Sequence, residues 1–131
     1  MRISEVMTSR VRTLREDEST ELASAVLRFW NYRHLPVLDA AGRVVGMLTP
    51  IDLLEAIHTR GTAARIVASE VMRRPVLTIR ADEDLEMAFA EMRRAGVHAL
   101  PVVDHTDRLV GIVTDVDILV ALASGQPRAI D

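Results

Sequence analysis

A pattern of seven residues occurs twice in this chain: glycine, two apolar residues, threonine, two further residues and aspartate. Its copies are Gly46-Met47-Leu48-Thr49-Pro50-Ile51-Asp52 and Gly111-Ile112-Val113-Thr114-Asp115-Val116-Asp117. Each copy lies where a predicted strand leads into a predicted helix, and the unpaired N–H groups of a helix start suit a phosphate. The threonine hydroxyl can add a hydrogen bond to that phosphate. The aspartate carboxylate only accepts hydrogen bonds, so it can hold the 2′,3′-diol of a ribose.

The same residues also have a purely structural interpretation. Thr-x-x-Asp is a capping box, in which threonine takes the N-cap and aspartate takes N3, and Pro50 would occupy N1, its favoured helix position. The two interpretations are compatible, because the group that caps a helix can also be the place where a nucleotide docks. Gly46 and Gly111 would then let the backbone approach the ligand closely.

Both patterns belong to a longer repeat that covers most of the chain. Ser4-Glu5-Val6-Met7 returns as Ser69-Glu70-Val71-Met72, and Leu35-Pro36-Val37 returns as Leu100-Pro101-Val102. Every pair has the same offset of about 65 positions, without a gap, which indicates a tandem duplication.

Each copy predicts the element order β-α-β-β-α. The predicted strands are 11–14, 35–38 and 44–48 in the first copy and 76–79, 100–103 and 109–113 in the second. The first helix of each copy follows an acidic start and has one apolar face, formed by Leu22, Val26, Phe29 and Trp30 or by Leu85, Ala88, Phe89 and Met92. The last helix carries the apolar residues Ile51, Leu54 and Ile57 or Val116, Leu119 and Leu122.

The predicted fold class is α+β, with two tandem repeats. One unit of about 60 residues has too few elements to cover both faces of its sheet. We therefore expect the two copies to pack sheet to sheet about a pseudo-twofold axis, leaving a cleft between them. The predicted boundaries are 1–60 and 69–125 for the repeats, 61–68 for the connector and 126–131 for a frayed tail.

Composition limits the classes of function. The 131 residues include no cysteine, which excludes a disulfide scaffold, a thiolate zinc site and a cysteine nucleophile. The net charge of −3 argues against attraction to nucleic acid or to an anionic membrane. No apolar run approaches the roughly 18 residues of a membrane span, and the N-terminus lacks a signal core, so a cytoplasmic location is predicted.

Neither catalysis nor a resident metal is predicted. Serines such as Ser4, Ser9 and Ser124 have no recognisable base and orienting group, and the chain has no Gly-x-Ser-x-Gly elbow and no Walker loop. The four histidines lack the i, i+4 spacing of a helical zinc pair, although His98 and His105 could approach Asp104.

The sequence resembles the CBS-domain pair, or Bateman module. The resemblance covers residues 3–125 and rests on the opening Val-Met, the hydrophobic-Pro-Val-x-Asp strand and the Gly-h-h-Thr-x-x-Asp pattern (h, apolar), all in order and all twice. It implies a regulatory module without an obligatory cofactor. Such a module binds an adenosine-containing ligand (AMP, ADP, ATP, S-adenosylmethionine or NAD) between its repeats, usually dimerises, and signals to a partner protein.

The resemblance also implies roles for individual residues. By it, Asp52 and Asp117 hold the ribose, and Thr49 and Thr114 reach the phosphate. The adenine would lie near Thr13, Leu14, Pro36, Thr78, Ile79 and Pro101. Basic residues before the Pro-Val strand, here Arg33, His34 and His98, would reach phosphates held by the opposite repeat.

This contact between the basic residues of one repeat and the phosphate at the other predicts that the Asp117 site is the better phosphate site. The reason is that Arg33 offers a permanently charged, two-pronged donor to phosphate oxygens. The alternative is that Arg33 and His34 are solvated residues after a helix C-terminus, where cations are favoured in any case.

A second hypothesis is a structural or dimerisation domain that needs no ligand. The last helix of each copy carries more apolar residues than one core-facing stripe requires. On a small domain a surplus apolar face usually indicates a partner, and a homodimer with twofold symmetry is the most common outcome.

Overall fold

The computed structural model describes residues 1–30, 33–61 and 66–127, apart from the side chains of four residues in the first helix. The strands are β1 (Leu14–Arg15), β2 (Leu35–Leu38), β3 (Val44–Leu48), β4 (Ile79–Arg80), β5 (Ala99–Val103) and β6 (Leu109–Thr114). The helices are α1 (Thr20–Trp30), α2 (Pro50–Arg60), α3 (Ala68–Val71), α4 (Leu85–Ala95) and α5 (Asp115–Ser124), and a short 3-10 helix covers Ile3–Glu5. The fold class is α+β, as predicted.

The chain forms two compact units. The central unit comprises residues 12–76, and the terminal unit comprises residues 1–11 together with 77–131. The short helix that opens each repeat lies in the unit formed mainly by the other repeat. The backbone N–H of Ile3 donates to the Glu83 carbonyl (2.9 Å), and that of Ala68 donates to the Glu18 carbonyl (2.8 Å). Each compact unit therefore combines most of one repeat with the opening segment of the other, and the predicted repeat boundaries stay a prediction.

Each unit contains one three-stranded sheet, with orders β1-β2-β3 and β4-β5-β6. The first two strands of each sheet, β1 with β2 and β4 with β5, are parallel, and the last two, β2 with β3 and β5 with β6, are antiparallel. The register of the central strand shifts at the equivalent place in both sheets, after Val37 and after Val102. The strands predicted at 35–38 and 44–48 are confirmed to the residue. Those predicted at 11–14 and 76–79 are shorter and start later, at Leu14 and Ile79.

The hairpin turns of the two units have the same design. Gly42 (φ +84°) and Asp107 (φ +64°) occupy equivalent left-handed positions. Before each turn an aspartate accepts hydrogen bonds from the turn backbone. Asp104 Oδ1 accepts from the Thr106 N–H (2.8 Å) and from the Arg108 N–H (3.1 Å). The Thr106 hydroxyl also donates to it (2.6 Å), and these bonds from Thr106 hold the pKa of Asp104 below its ordinary value.

Replacing Asp104 by asparagine is expected to lower stability in a pH-dependent way. Because the folded pKa is depressed, the stabilisation by the carboxylate is complete above its unfolded pKa of about 4 and is lost as the pH falls through the folded value. The difference in melting temperature between wild type and Asp104→Asn should therefore shrink when melts are compared between about pH 7 and about pH 3. A difference in melting temperature that stays constant across this pH range would contradict the depressed pKa of Asp104.

Each unit has its own apolar core. The largest buried side chains of the central unit include Leu14, Leu35, Val37 and Leu48, and those of the terminal unit include Ile3, Leu85, Leu100, Val113 and Ile118. The predicted face of α4 is confirmed, since Leu85, Ala88 and Met92 are buried. On α1 the prediction fails at Leu22, which is 43% exposed, because the neighbouring Ala23 faces the core instead. The side chains of Val26, Phe29 and Trp30 lie outside the described part of the chain.

The last helix of each repeat exposes most of the apolar residues that the sequence singled out. Ile51 and Leu54 on α2, and Val116, Leu119 and Leu122 on α5, are between 43% and 65% exposed. The core contacts come from Leu53 on α2 and from Ile118 and Ala121 on α5. In the residues that the structure describes, no helix has both the length and the apolar character needed to cross a membrane.

Candidate functional site

The start of α2 is a complete capping box. Thr49 takes the N-cap in an extended conformation, and Pro50 is the first helical residue. Asp52 Oδ2 accepts hydrogen bonds from the Thr49 N–H (3.0 Å) and from the Thr49 hydroxyl (2.8 Å). The Asp52 N–H donates to Thr49 Oγ1 at 3.4 Å. The structural interpretation of the pattern is therefore confirmed at this helix.

The start of α5 repeats this arrangement. Thr114 is the N-cap, its Oγ1 accepts from the Asp117 N–H (3.1 Å), and Asp117 Oδ2 accepts from the Thr114 N–H (3.0 Å). Both threonines place their side chains at a helix N-terminus, where anions are stabilised. An ionised carboxylate has about four acceptor positions and donates no hydrogen bond.

The two aspartates differ in their surroundings. Asp52 is buried, with 6% of its side chain exposed, and its Oδ1 accepts a hydrogen bond from Arg73 Nε at 2.7 Å. The hydrogen bond to Asp52 raises the pKa of Arg73 above its ordinary value. Asp117 is half-buried and lines a pocket of about 340 Å³, whose other walls come from α5 and from Gln126 and Pro127.

The two glycines of the pattern serve the packing of the chain on itself. A Cβ added at Gly46 would overlap the side chain of Met72. A Cβ added at Gly111 would lie 2.6 Å from Met7 Sδ and 2.8 Å from the Thr8 carbonyl oxygen. The expectation that these glycines let a ligand approach the backbone is corrected, because the segment that opens the other repeat fills the space.

The basic candidates lie before the central strands. His98 precedes β5 and is 80% exposed; its Nδ1 lies 2.8 Å from Asp115 Oδ2, and its carbonyl accepts from the Asp115 N–H. His98 thus lies beside the helix start of its own repeat. Arg33 is exposed and His34 half-buried before β2. The predicted contact of these three residues with phosphates at the opposite repeat stays a prediction.

The adenine candidates divide into two kinds. Leu14 and Ile79 belong to the cores of their units, and Pro36 and Pro101 are buried in the central strands, so these four side chains support the sheets. Thr13 and Thr78 are half-buried directly before β1 and β4. The predicted role of all six, and of a groove shared by the repeats, stays a prediction.

Sequence reasoning missed Arg73 and Asp115 as members of these helix starts. The signal for Arg73 was present in the repeat, because its equivalent is Thr8 and a cation replaces a hydroxyl at an otherwise matched position. Among the described residues no three histidine, aspartate or glutamate side chains form a cluster that could hold a metal ion.

Known proteins resemble both the sequence and the fold. The chain is 36% identical over 116 residues to a homoserine O-acetyltransferase of Methanococcoides burtonii, matching 88% of this chain but 23% of that protein. An L-aspartate semialdehyde sulfurtransferase of Methanocaldococcus jannaschii is 30% identical, again over 88% of this chain and 22% of the relative. The chain thus spans about a quarter of the length of the curated relatives it matches.

Solved structures match over nearly the whole chain. The CBS domain pair of protein MJ0100, in complex with 5′-methylthioadenosine and S-adenosyl-L-methionine, has a TM-score of 0.82 at 28% identity, covering 96% of this chain and 98% of that one. A putative acetoin utilization protein (AcuB) of Vibrio cholerae has a TM-score of 0.83 at 27% identity, with 95% and 91% covered. The profile of the CBS domain matches twice, over residues 3–59 and 67–124. The chain belongs to the CBS domain family as a tandem CBS pair.

Proposed function

We propose that this protein is a regulatory module that binds an adenosine-containing ligand at the Thr-x-x-Asp helix starts and signals to a partner protein. The observation that carries the proposal is the duplicated helix start, in which a hydroxyl and a carboxylate lie together at the N-terminus of α2 and again at that of α5. The proposed role is regulatory rather than catalytic.

The chemistry of the α5 start supports an adenosine-containing ligand. Asp117 borders a pocket of about 340 Å³, and an ionised carboxylate accepts hydrogen bonds without donating any. A ribose diol offers two donors to such a group. A 5′-phosphate would add contacts to the Thr114 hydroxyl and to the helix N-terminus, whereas 5′-methylthioadenosine would use the ribose contacts alone. The MJ0100 pair, solved with 5′-methylthioadenosine and S-adenosylmethionine, is consistent with this class of ligand.

Regulation requires that the ligand bind one state of the module more tightly than another, since equal affinity shifts no equilibrium. The exposed apolar residues of α2, and separately those of α5, supply surfaces on which a partner or a second copy of the chain could respond to such a shift. A homodimer and a cytoplasmic location belong to this proposal.

A structural or dimerisation module that binds no ligand is the second candidate. The capping boxes account for Thr49, Asp52, Thr114 and Asp117 without any ligand. The exposure of Leu54 (65%) and of the apolar side chains on α5 favours an interface. Light scattering tests for the homodimer. A monomeric mass at micromolar concentration would rule out a homodimer.

A thermal-shift panel separates the two candidates. AMP, ADP, ATP, NAD, S-adenosylmethionine and 5′-methylthioadenosine are added in turn, with guanosine monophosphate as a control for the base. A ligand present at about 100 times its dissociation constant should add about 2.7 kcal/mol of stability, which is a shift of several degrees. At least one adenosine-containing compound is expected to raise the melting temperature more than the control. If none does, the second candidate stands.

A further inference from the structure

A second cavity of the terminal unit lies between the end of α4 and the start of α5. Its volume is about 240 Å³, and the apolar part of its lining comes from Phe89, Met92 and Val97. Met92 belongs to the core of this unit, and Phe89 and Val97 pack against that core while staying half-buried. Pockets for drug-sized ligands measure roughly 300–1,000 Å³, so this cavity suits a smaller metabolite.

The turn after α4 brings the lining residues together. Gly96 has a positive φ of 68° and ends the helix. The Val97 N–H donates to the Met92 carbonyl (3.1 Å), so the chain turns back onto the last turn of α4. The carbonyl of the next residue, His98, accepts from the Asp115 N–H (3.0 Å). The backbone therefore fixes the start of α5 beside the end of α4.

The positive charge in the lining that has no acidic partner is that of Arg93. Its guanidinium lies over the Phe89 ring, with Cζ 6.0 Å from the ring centroid. Stacking uses the face of the guanidinium and leaves the N–H groups at its edge able to donate. Within the described residues no carboxylate forms an ion pair with Arg93, whereas the neighbouring Arg94 lies 3.6 Å from Glu91. Arg93 thus offers a planar, permanently charged donor to a carboxylate from outside the chain.

The negative charge in the lining comes from Asp115. Its side chain is 37% exposed, and its Oδ2 lies 2.8 Å from His98 Nδ1. Since an ionised carboxylate only accepts, Nδ1 carries the proton of this bond, and the histidine ring holds the carboxylate in one orientation. A carboxylate held in this way can accept further hydrogen bonds from an ammonium group.

We propose that this cavity binds a free α-amino acid with an apolar side chain. Arg93 receives the α-carboxylate as a bidentate partner, Asp115 accepts from the α-ammonium group, and the side chain packs on Phe89 and Val97. In the part of the chain that the structure describes, Arg93 and Asp115 form no ion pair with each other, so a zwitterion can bridge them. The inference does not rest on the proposed function, because its ligand is not a nucleoside and the threonines and aspartates of the capping boxes take no part.

Analogues that each lack one feature test the proposal on the wild-type chain. The isotopically labelled protein is titrated with L-leucine, with isoamylamine (no carboxylate), with isocaproate (no ammonium group) and with glycine (no apolar side chain). L-leucine is expected to shift the amides of Gly96, Val97, His98 and Asp115 saturably. Each analogue is expected to bind about tenfold more weakly or worse, because one contact is lost.

Two variants assign the charged contacts. Arg93→Gln keeps the aliphatic stem and removes the charge, and Asp115→Asn keeps the size of the side chain. Each is expected to weaken L-leucine about tenfold or more. Arg93→Gln should leave the weak binding of isoamylamine unchanged, and Asp115→Asn should not weaken isocaproate. The matched control Arg94→Gln removes the same charge from an exposed neighbour and should leave the affinity for L-leucine unchanged.

The outcomes separate this inference from the proposed function. It is overturned if L-leucine up to about 10 mM causes no saturable shift of these amides, if leucine and either singly charged analogue bind equally, or if Arg94→Gln weakens binding as much as Arg93→Gln. If S-adenosylmethionine shifts these amides and L-leucine does not, the cavity belongs to the adenosine-containing ligand, and the inference fails while the proposed function stands. Leucine binding without a response to any adenosine-containing compound supports the inference and counts against the proposed function.

Discussion

Asp117→Asn is expected to weaken the binding of an adenosine-containing ligand about 100-fold, without loss of the fold. The charged carboxylate at this position would accept two hydrogen bonds from the ribose diol, and each bond to a charged group contributes about 1.5–3 kcal/mol. An asparagine keeps the size of the side chain and one carbonyl oxygen, so it can still accept from the Thr114 N–H and cap α5. The loss should therefore appear in affinity and hardly in melting temperature.

Calorimetry on wild type and Asp117→Asn checks this prediction, with Asp82→Asn as the control for net charge. Asp82 is exposed and lies 3.8 Å from Arg80, so its replacement removes one negative charge away from either helix start. Asp52→Asn is the matched variant at the start of α2. No loss of affinity from Asp117→Asn would contradict the proposed ribose contact.

Gly111→Ala is expected to lower the free energy of unfolding by about 1–3 kcal/mol. The added methyl group would lie 2.8 Å from the Thr8 carbonyl oxygen, which accepts a hydrogen bond from the Ile112 N–H at 2.9 Å. A backbone oxygen held in this way cannot turn aside as a flexible side chain can. Either the segment that opens the chain moves away from β6, or β6 distorts directly before Thr114.

Chemical denaturation of wild type and Gly111→Ala measures this loss. Ala40→Ser, in the exposed hairpin turn of the central unit, is a control that should change stability by less than about 0.5 kcal/mol. If Gly111→Ala unfolds like wild type, the close contact between residues 7–8 and β6 is wrong. The glycine would then be available for the ligand approach that the sequence pattern first indicated.

The repeat pattern predicted the β-rich hairpins well, because their strands are bounded by strong turn signals and packed on one face. The residues of β2 and β3 match the prediction, and Gly42 and Asp107 mark both turns. The outer strands were harder to place, since two residues such as Leu14 and Arg15 become a strand only by pairing with β2. Local propensity carries little information about such short edge elements.

The helix faces were predicted less well than the helices. An apolar residue on a helix can face either the core of its own unit or a partner, and periodicity does not distinguish these two surroundings. For this reason Leu22 on α1, Leu54 on α2 and Leu119 on α5 were each assigned to an apolar face, and the fold leaves all three side chains exposed. The buried positions next to them, such as Ala23 and Ile118, make the core contacts.

Part of the candidate site followed directly from the sequence. The capping of α2 by Thr49 and of α5 by Thr114 depends on residues three positions apart, so a local pattern was sufficient. The pairing of Asp52 with Arg73 joins residues 21 positions apart and depends on how the segment before β4 lies against β3. Only the comparison of Arg73 with Thr8 at matched positions hinted at it.

The most direct test is a titration of the isotopically labelled protein with AMP, followed through backbone amide chemical shifts. Binding at the proposed place should shift the amides at the start of α5, from Thr114 to Asp117, more than those of the exposed turn at Thr106, and saturably. In Asp117→Asn, AMP at the same concentration should leave the chemical shifts of these amides unchanged. Saturable shifts that leave the amides of Thr114–Asp117 and Thr49–Asp52 unmoved would contradict ligand binding at the Thr-x-x-Asp helix starts.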